Sequence, residues 1–317
     1  MKAAIVTKAG QLPVYGDFAE PVATDNAQRI VVKAAALSHL VKNRASGNHY
    51  SASGQYPFIA GIDGVGIQDD GQRVYFIKPV APYGSMAEQT LVPAAQCIAL
   101  ADDLDDITAA AIANPGMSSW AALTERAQLQ IGETVLINGA TGISGKLAVQ
   151  IARYLGAKKI IATGRNPAVL EQLMLLGADV VIPLTQEEEA LNAQFGEQFA
   201  QGVDVVIDYL WGKSAGQLLT SAAKMAEDGK PVRFVQVGSM SGNEITLSSA
   251  ILRSKAIALM GSGLGSVSVR GLLRTLKGLL KAAVPAGFQL ATNPVTLSRV
   301  AEVWEADDSA ARTVFTV

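Results

Sequence analysis

The chain has 317 residues, about half of them apolar, with 26 basic and 28 acidic side chains and a formal net charge of -2. That balance argues against a nucleic-acid or membrane-surface binder, which normally carries a basic excess. A single cysteine, Cys97, rules out an intramolecular disulfide and a four-cysteine zinc site.

The length suggests about two domains. The apolar run after Met1-Lys2 is too short for a signal peptide, and no stretch of ~18 apolar residues suggests a membrane span, so the reading is a cytoplasmic chain without membrane or nucleic-acid partners. Residues 1–117 read as mostly β. Ile30–Ala34 and Arg73–Ile77 have strand character, turn signals stand at Asp69-Asp70-Gly71 and Pro82-Tyr83-Gly84, and long helical periodicity is scarce. From Ser118 apolar runs alternate with amphipathic stretches. The runs are 134–137, 159–162, 180–182, 203–207, 232–237 and 256–260. Their spacing of roughly 20 to 30 residues suits strand-plus-crossover-helix units of a parallel sheet. Thr185-Gln186-Glu187-Glu188 reads as a capping box. Residues 254–260 read as the edge strand of the sheet, and an unprotected apolar edge predicts a homodimer through it. A helix over 266–283 is stopped by Pro285 and Gly287, its Arg270, Arg274, Lys277 and Lys281 forming a solvated face. A short strand, a helix around 296–305 and a strand at 313–317 close the chain. That last strand has no partner in the parallel count and is free to return to the first domain. The organisation predicted is one domain of 1–117 with 284–317, and a second of 118–283.

The strongest chemical signal is Asn138-Gly139-Ala140-Thr141-Gly142-Ile143-Ser144-Gly145, after an apolar strand and before the helical run Lys146–Ala152. A glycine-rich turn there lets backbone N–H groups approach a pyrophosphate, and the helix N-terminus adds its positive dipole end. The next strand ends in Thr163-Gly164-Arg165-Asn166, where a Rossmann domain places its ribose-reading group. An acid there would accept from the 2′-hydroxyl of NAD; Gly164 leaves space and Arg165 offers a fork for a 2′-phosphate, so the cofactor predicted is NADP(H). Tyr209 with the turn Asp208–Gly212, and Val237-Gly238-Ser239, end two further strands and complete the predicted cofactor floor; Tyr209 and Trp211 are equally readable as packing. No H-E-x-x-H zinc spacing and no G-x-S-x-G nucleophile turn is present.

On these residues the chain resembles the medium-chain dehydrogenase/reductases, and more narrowly their zinc-independent quinone oxidoreductase branch. The blocks that carry the likeness are Val32–Ala36, Gly61–Gly66, Gly84–Gln89, Ala110–Ile112, Ala140–Ala152, Leu176–Asp179 and Leu252–Lys255. The resemblance implies an α/β chain with a GroES-like β domain plus a doubly wound Rossmann domain, and a C-terminal strand that rejoins the first domain. Zinc-dependent relatives have metal ligands where this chain has Ser38, Ile62 and Asn114, so no metal is expected. The reaction implied is hydride transfer from NADPH to a quinone or α,β-unsaturated carbonyl. An enoyl-thioester reductase and a non-catalytic NADPH-binding protein are the alternatives. Tyr50, His39 and Ser38 are the candidate proton donors. Ser118, Ser262 and Gly263 are expected to contact the nicotinamide half of the cofactor.

Overall fold

The computed structural model describes residues 1–47, 54–263, 265–307 and 310–317. In chain order the strands are β1 (Lys2–Val6), β2 (Val14–Asp17), β3 (Gln28–Ala36), β4 (Phe58–Ile59), β5 (Asp63–Gln68), β6 (Arg73–Ile77), β7 (Gln89–Val92), β8 (Cys97–Ala99), β9 (Thr134–Asn138), β10 (Lys159–Gly164), β11 (Val180–Pro183), β12 (Val205–Asp208), β13 (Val232–Gln236), β14 (Ile257–Gly261), β15 (Thr292–Thr296) and β16 (Arg312–Thr316). The helices are α1 (His39–Ala45), α2 (Asp106–Ala121), α3 (Ile143–Tyr154), α4 (Pro167–Leu175), α5 (Glu188–Gln201), α6 (Gly212–Met225), α7 (Ser249–Ser254), α8 (Val269–Ala283) and α9 (Val300–Val303). Two compact units result, residues 1–114 with 276–317, and residues 115–275.

The first unit is built on antiparallel pairing. One sheet runs β2-β1-β4; a second runs β15-β16-β3-β5-β6-β8, with β7 also paired to β3. The C-terminal strand β16 lies antiparallel to β3 and parallel to β15, so it does return to the N-terminal sheet. Its Phe315 joins Val6, Leu37, Met86, Val300 and Trp304 in a shared core.

The second unit carries six parallel strands in the order β11-β10-β9-β12-β13-β14. This is the 3-2-1-4-5-6 order of a Rossmann sheet, with the direction of winding reversing between β9 and β12. The apolar runs fit because central parallel strands are covered on both faces; every residue of β9 and β12 is buried. Phe195 and Phe199 of α5 and Leu218 and Leu219 of α6 close one face against Leu136, Ile161, Val206 and Phe234.

Several sequence expectations are corrected. Helix α2 begins at Asp106, inside the segment read as β, because its Ala109–Ala113 run is buried all round and shows no amphipathic stripe. Helix α3 starts at Ile143, three residues early, so the glycine segment itself forms its first turn. The capping box does not form: α5 starts at Glu188 without a side-chain cap, and Gln186 instead donates to the Pro183 carbonyl (2.8 Å) and pairs with Gln194. Helix α8 starts at Val269, where the Ser268 hydroxyl accepts from the Gly271 amide at 3.1 Å. The edge strand begins at Ile257, since Ser254 ends α7. The helix expected near 296–305 shrinks to a 3-10 turn, Leu297–Arg299, followed by α9.

Candidate cofactor site

Strand β9 delivers the chain to the point where the sheet reverses, where open α/β sheets bind ligands. Gly139 turns it out with φ +85°, and a Cβ there would meet Leu210 Cγ at 2.7 Å. Gly142 is the N-cap of α3 and provides no side-chain cap, leaving first-turn amides of the helix available to an anion. A Cβ on Gly142 would enter open space; a Cβ on Gly145 would lie 2.5 Å from Ala140 Cα. The two glycines thus do different work. Gly145 allows the turn to close on the helix, and Gly142 leaves room above it. Ala140 is buried, while Thr141, Ile143 and Ser144 are half-buried around the same turn. The cradle fits a pyrophosphate. Lys146 stands in the same first turn, half-buried, and burial alone lowers its amine from the ordinary lysine value. Sequence reading passed it over because it falls just after the glycine pattern.

A buried polar knot ties three strand ends together. The Asn138 amide donates to Asp208 Oδ1 (2.8 Å) and Ser214 Oγ (3.0 Å), and its carbonyl accepts from Thr163 Oγ1 (2.7 Å). Gly139 N donates to the same Thr163 oxygen at 3.1 Å. Asp208 also accepts from the amides of Leu210 (3.0 Å) and Trp211 (3.1 Å), holding Trp211 at φ +57°. Burial pushes the Asp208 carboxyl up from its ordinary value, and these donors pull the other way. Trp211 packs against Phe234, ring centroids 6.5 Å apart.

At the end of β10, Gly164 sits against Thr141, where a Cβ would collide with Thr141 Cγ2. Arg165 is exposed and shares a pocket of about 180 Å³ with Leu210, Lys213, Ser214 and Ser241. Lys213, a second cation that the sequence reading missed, is paired there with Glu188 at 2.8 Å. The Asn166 side chain caps α4, accepting from Val169 N at 3.3 Å.

The other expected contacts fall as follows. Tyr209 is buried, with its hydroxyl 2.7 Å from Ser119 Oγ. Val237 N and Gly238 N both donate to the Asp208 carbonyl, and a Cβ on Gly238 would meet Tyr209 O at 2.7 Å. Ser239 borders a pocket of about 450 Å³ with Trp211, Gln236 and Met260. Ser262 is buried, Gly263 N donates to Ser266 Oγ (2.7 Å), and Ser118 Oγ donates to the Pro115 carbonyl (2.8 Å). In the first unit Ser38 Oγ caps α1 by accepting from Val41 N (3.2 Å), and His39 is exposed at the start of that helix. Tyr50 lies outside the described residues. Asp63, also passed over, is buried and accepts from Tyr75 Oη (2.7 Å) and the Asn114 amide (3.5 Å).

Burial pushes the Tyr209 phenol up to about 12. Its folded-state value is raised, so its contribution to stability is complete below pH 10 and is lost as the pH climbs through about 12. Tyr75, buried and hydrogen-bonded to Asp63, is held above the ordinary phenol value as well, so spectrophotometric titration is expected to show late-ionising phenols of which Tyr209→Phe removes one, while turnover near neutral pH shows no pH dependence traceable to Tyr209.

Residues 144–278 match the family model described as zinc-binding dehydrogenase, and this segment contains neither histidine nor cysteine. The probable NADPH-dependent quinone reductase tdiC of Emericella nidulans is 32% identical over 98% of both chains. Among solved structures, a probable oxidoreductase from Mycobacterium abscessus is 25% identical, covers 100% of this chain and 99% of its own, and has a TM-score of 0.80. The quinone oxidoreductase of Thermus thermophilus, also solved with NADPH, is 23% identical over the whole of both chains with a TM-score of 0.82, a likeness of fold. The full-length match, the strand order and the glycine turn place this chain in one lineage. It belongs to the medium-chain dehydrogenase/reductases, in their quinone oxidoreductase branch.

Proposed function

We propose that the protein is an NADPH-dependent, zinc-independent reductase that passes a hydride to a quinone or an α,β-unsaturated carbonyl. The observation that carries this reading is the uncapped glycine start of α3 at the sheet's switch point, next to a β10 end that offers Arg165 and no acid. The similarity of the whole chain to a relative named as a quinone reductase supports this acceptor class over enoyl thioesters.

Ala140 to Gly145 would hold the pyrophosphate, Gly164, Arg165 and Asn166 the phosphorylated ribose, and Tyr209, Val237–Ser239, Ser118, Ser262 and Gly263 the remainder. When bound, the dinucleotide supplies the hydride. The protein's share is orientation and one proton, for which Ser38, His39 and Tyr50 are the proposed groups. Ser38 Oγ accepts from Val41 N and keeps its own hydrogen to donate. His39 is exposed at the start of α1.

The donor set favours metal-free chemistry. Among the described residues no group of three or more His, Cys, Asp or Glu side chains is arranged to hold a metal, and Asn114 is turned toward Asp63. Among them, too, no helix is long and apolar enough to cross a membrane. Steady NADPH oxidation with quinones or enones, insensitive to chelators, is the expected result; tight NADPH binding without turnover on any quinone, enone or enoyl thioester refutes the enzyme reading.

Among the described residues strand β14 pairs only with β13, and its Leu259 is 36% exposed. An open edge of this kind favours pairing with a second copy, so the protein is proposed to be a homodimer. Light scattering is expected to give a dimer mass that Leu259→Lys shifts toward the monomer; a monomeric parent disproves the arrangement.

A further inference from the structure

Helix α1, which opens with the candidate donors Ser38 and His39, ends near Arg44, and this arginine is unlike most others in the chain. Arg29, Arg73, Arg153, Arg233, Arg274 and Arg299 each pair with a carboxylate. Arg44 is half-buried and pairs with none among the described residues. Desolvation lowers its guanidinium from the ordinary value, and among the described residues no neighbouring charge or hydrogen bond offsets it. A guanidinium partly withdrawn from water without an acceptor is costly unless a ligand supplies one.

Arg44 lines a pocket of the first unit together with Tyr56, Phe58, Ile62, Pro79 and Tyr83, and among the described residues it is the only formally charged side chain in that lining. The rings are set from behind. Tyr56, Phe58 and Ile62 pack on the core that holds Leu37, Val41 and Met86, and the Tyr56 and Phe58 centroids are 5.4 Å apart at 44°. Tyr83 is braced edge-on by Phe18 at 6.2 Å. Fixed aromatic and proline surfaces suit a flat ring, and a fork of N–H donors suits a carboxylate or sulfonate on that ring.

We propose that this pocket takes the electron acceptor, and that the acceptor is a planar quinone or enone carrying an acidic substituent that Arg44 contacts. This rests on the reductase reading above and adds a substrate class to it.

The test compares 1,2-naphthoquinone-4-sulfonate with neutral 1,2-naphthoquinone as acceptors, and 2-naphthoate with 2-naphthol as non-reacting ligands of the full chain. The parent is expected to bind 2-naphthoate at least about tenfold more tightly than 2-naphthol. Arg44→Ala is expected to raise the KM for the sulfonate roughly ten- to a hundredfold, the range of a charge-assisted contact, with kcat and the neutral quinone's KM little changed. Arg44→Lys recovers part of the loss, because it keeps the charge and gives up the fork. Equal binding of naphthoate and naphthol by the parent overturns the proposal without needing any variant to fold. So does a loss in Arg44→Ala that is the same for both quinones, and so does naphthoate binding with no advantage for the sulfonate in turnover. Failure of the reductase reading has a different signature: no NADPH oxidation with either quinone, whatever the ligands do.

Discussion

Arg165→Ala is expected to weaken NADPH binding about ten- to a hundredfold and to leave NADH binding within about twofold. The range is that of a hydrogen-bonded charge pair removed from a phosphate. Arg165 is exposed at the end of β10, and no acidic residue stands in Gly164-Arg165-Asn166 to accept from an unphosphorylated ribose. Lys213 shares the pocket but is already paired with Glu188, which lines it too, so little of the preference should survive the substitution. An exposed pair is screened, so the gap between the two cofactors should narrow as salt rises toward 1 M, where the Debye length is about 3 Å. Titrating both dinucleotides by calorimetry or fluorescence, at two ionic strengths, checks each part. Equal binding of NADPH and NADH by the parent refutes the specificity reading.

A pair of glycine substitutions should separate a turn that closes the fold from one that receives a ligand. At Gly145 a Cβ would lie 2.5 Å from Ala140 Cα and 2.6 Å from Gly139 O, both backbone atoms that cannot step aside alone. Gly145→Ala is therefore expected to cost about 1–3 kcal/mol of stability and to reduce dinucleotide affinity more than about tenfold, because the amides that face the anion move with the turn. At Gly142 the added Cβ meets nothing within 4 Å, and φ -78° with ψ 169° suits alanine. The entropy gained in the unfolded chain, about 0.4–1 kcal/mol, roughly offsets the poorer N-cap. Gly142→Ala should then melt within a few degrees of the parent and still bind the cofactor poorly. Unchanged affinity in Gly142→Ala would mean that the pyrophosphate lies elsewhere.

What the sequence made legible was whatever short-range pattern encodes. Continuous apolar runs announced most of the six parallel strands, since central strands covered on both faces need no alternation. The glycine turn was readable because its constraint is local. Helix α2 was not, for two local reasons: its Ala109–Ala113 run is buried on every side, so no periodicity marks it, and Pro115 inside it reads as a stop. The knot of Asn138, Thr163 and Asp208 was hidden for another reason. Its partners are 25 and 70 residues apart and meet only because strand register sets Asp208 opposite Asn138. The Arg44 pocket was equally invisible, since the helix that carries it meets residues 56–62 and 79–83 only in the folded first unit.

That knot bears on how the protein meets its cofactor. Three strand tips are laced to one another by side chains that need no ligand to satisfy them. The loops springing from those tips are consequently set when the chain folds, and little ordering is left for the moment of encounter. Dinucleotide capture by the second unit then resembles docking onto a finished mould rather than the gathering of loose loops, so its association rate should respond to charge around the mouth far more than to the stiffness of the backbone.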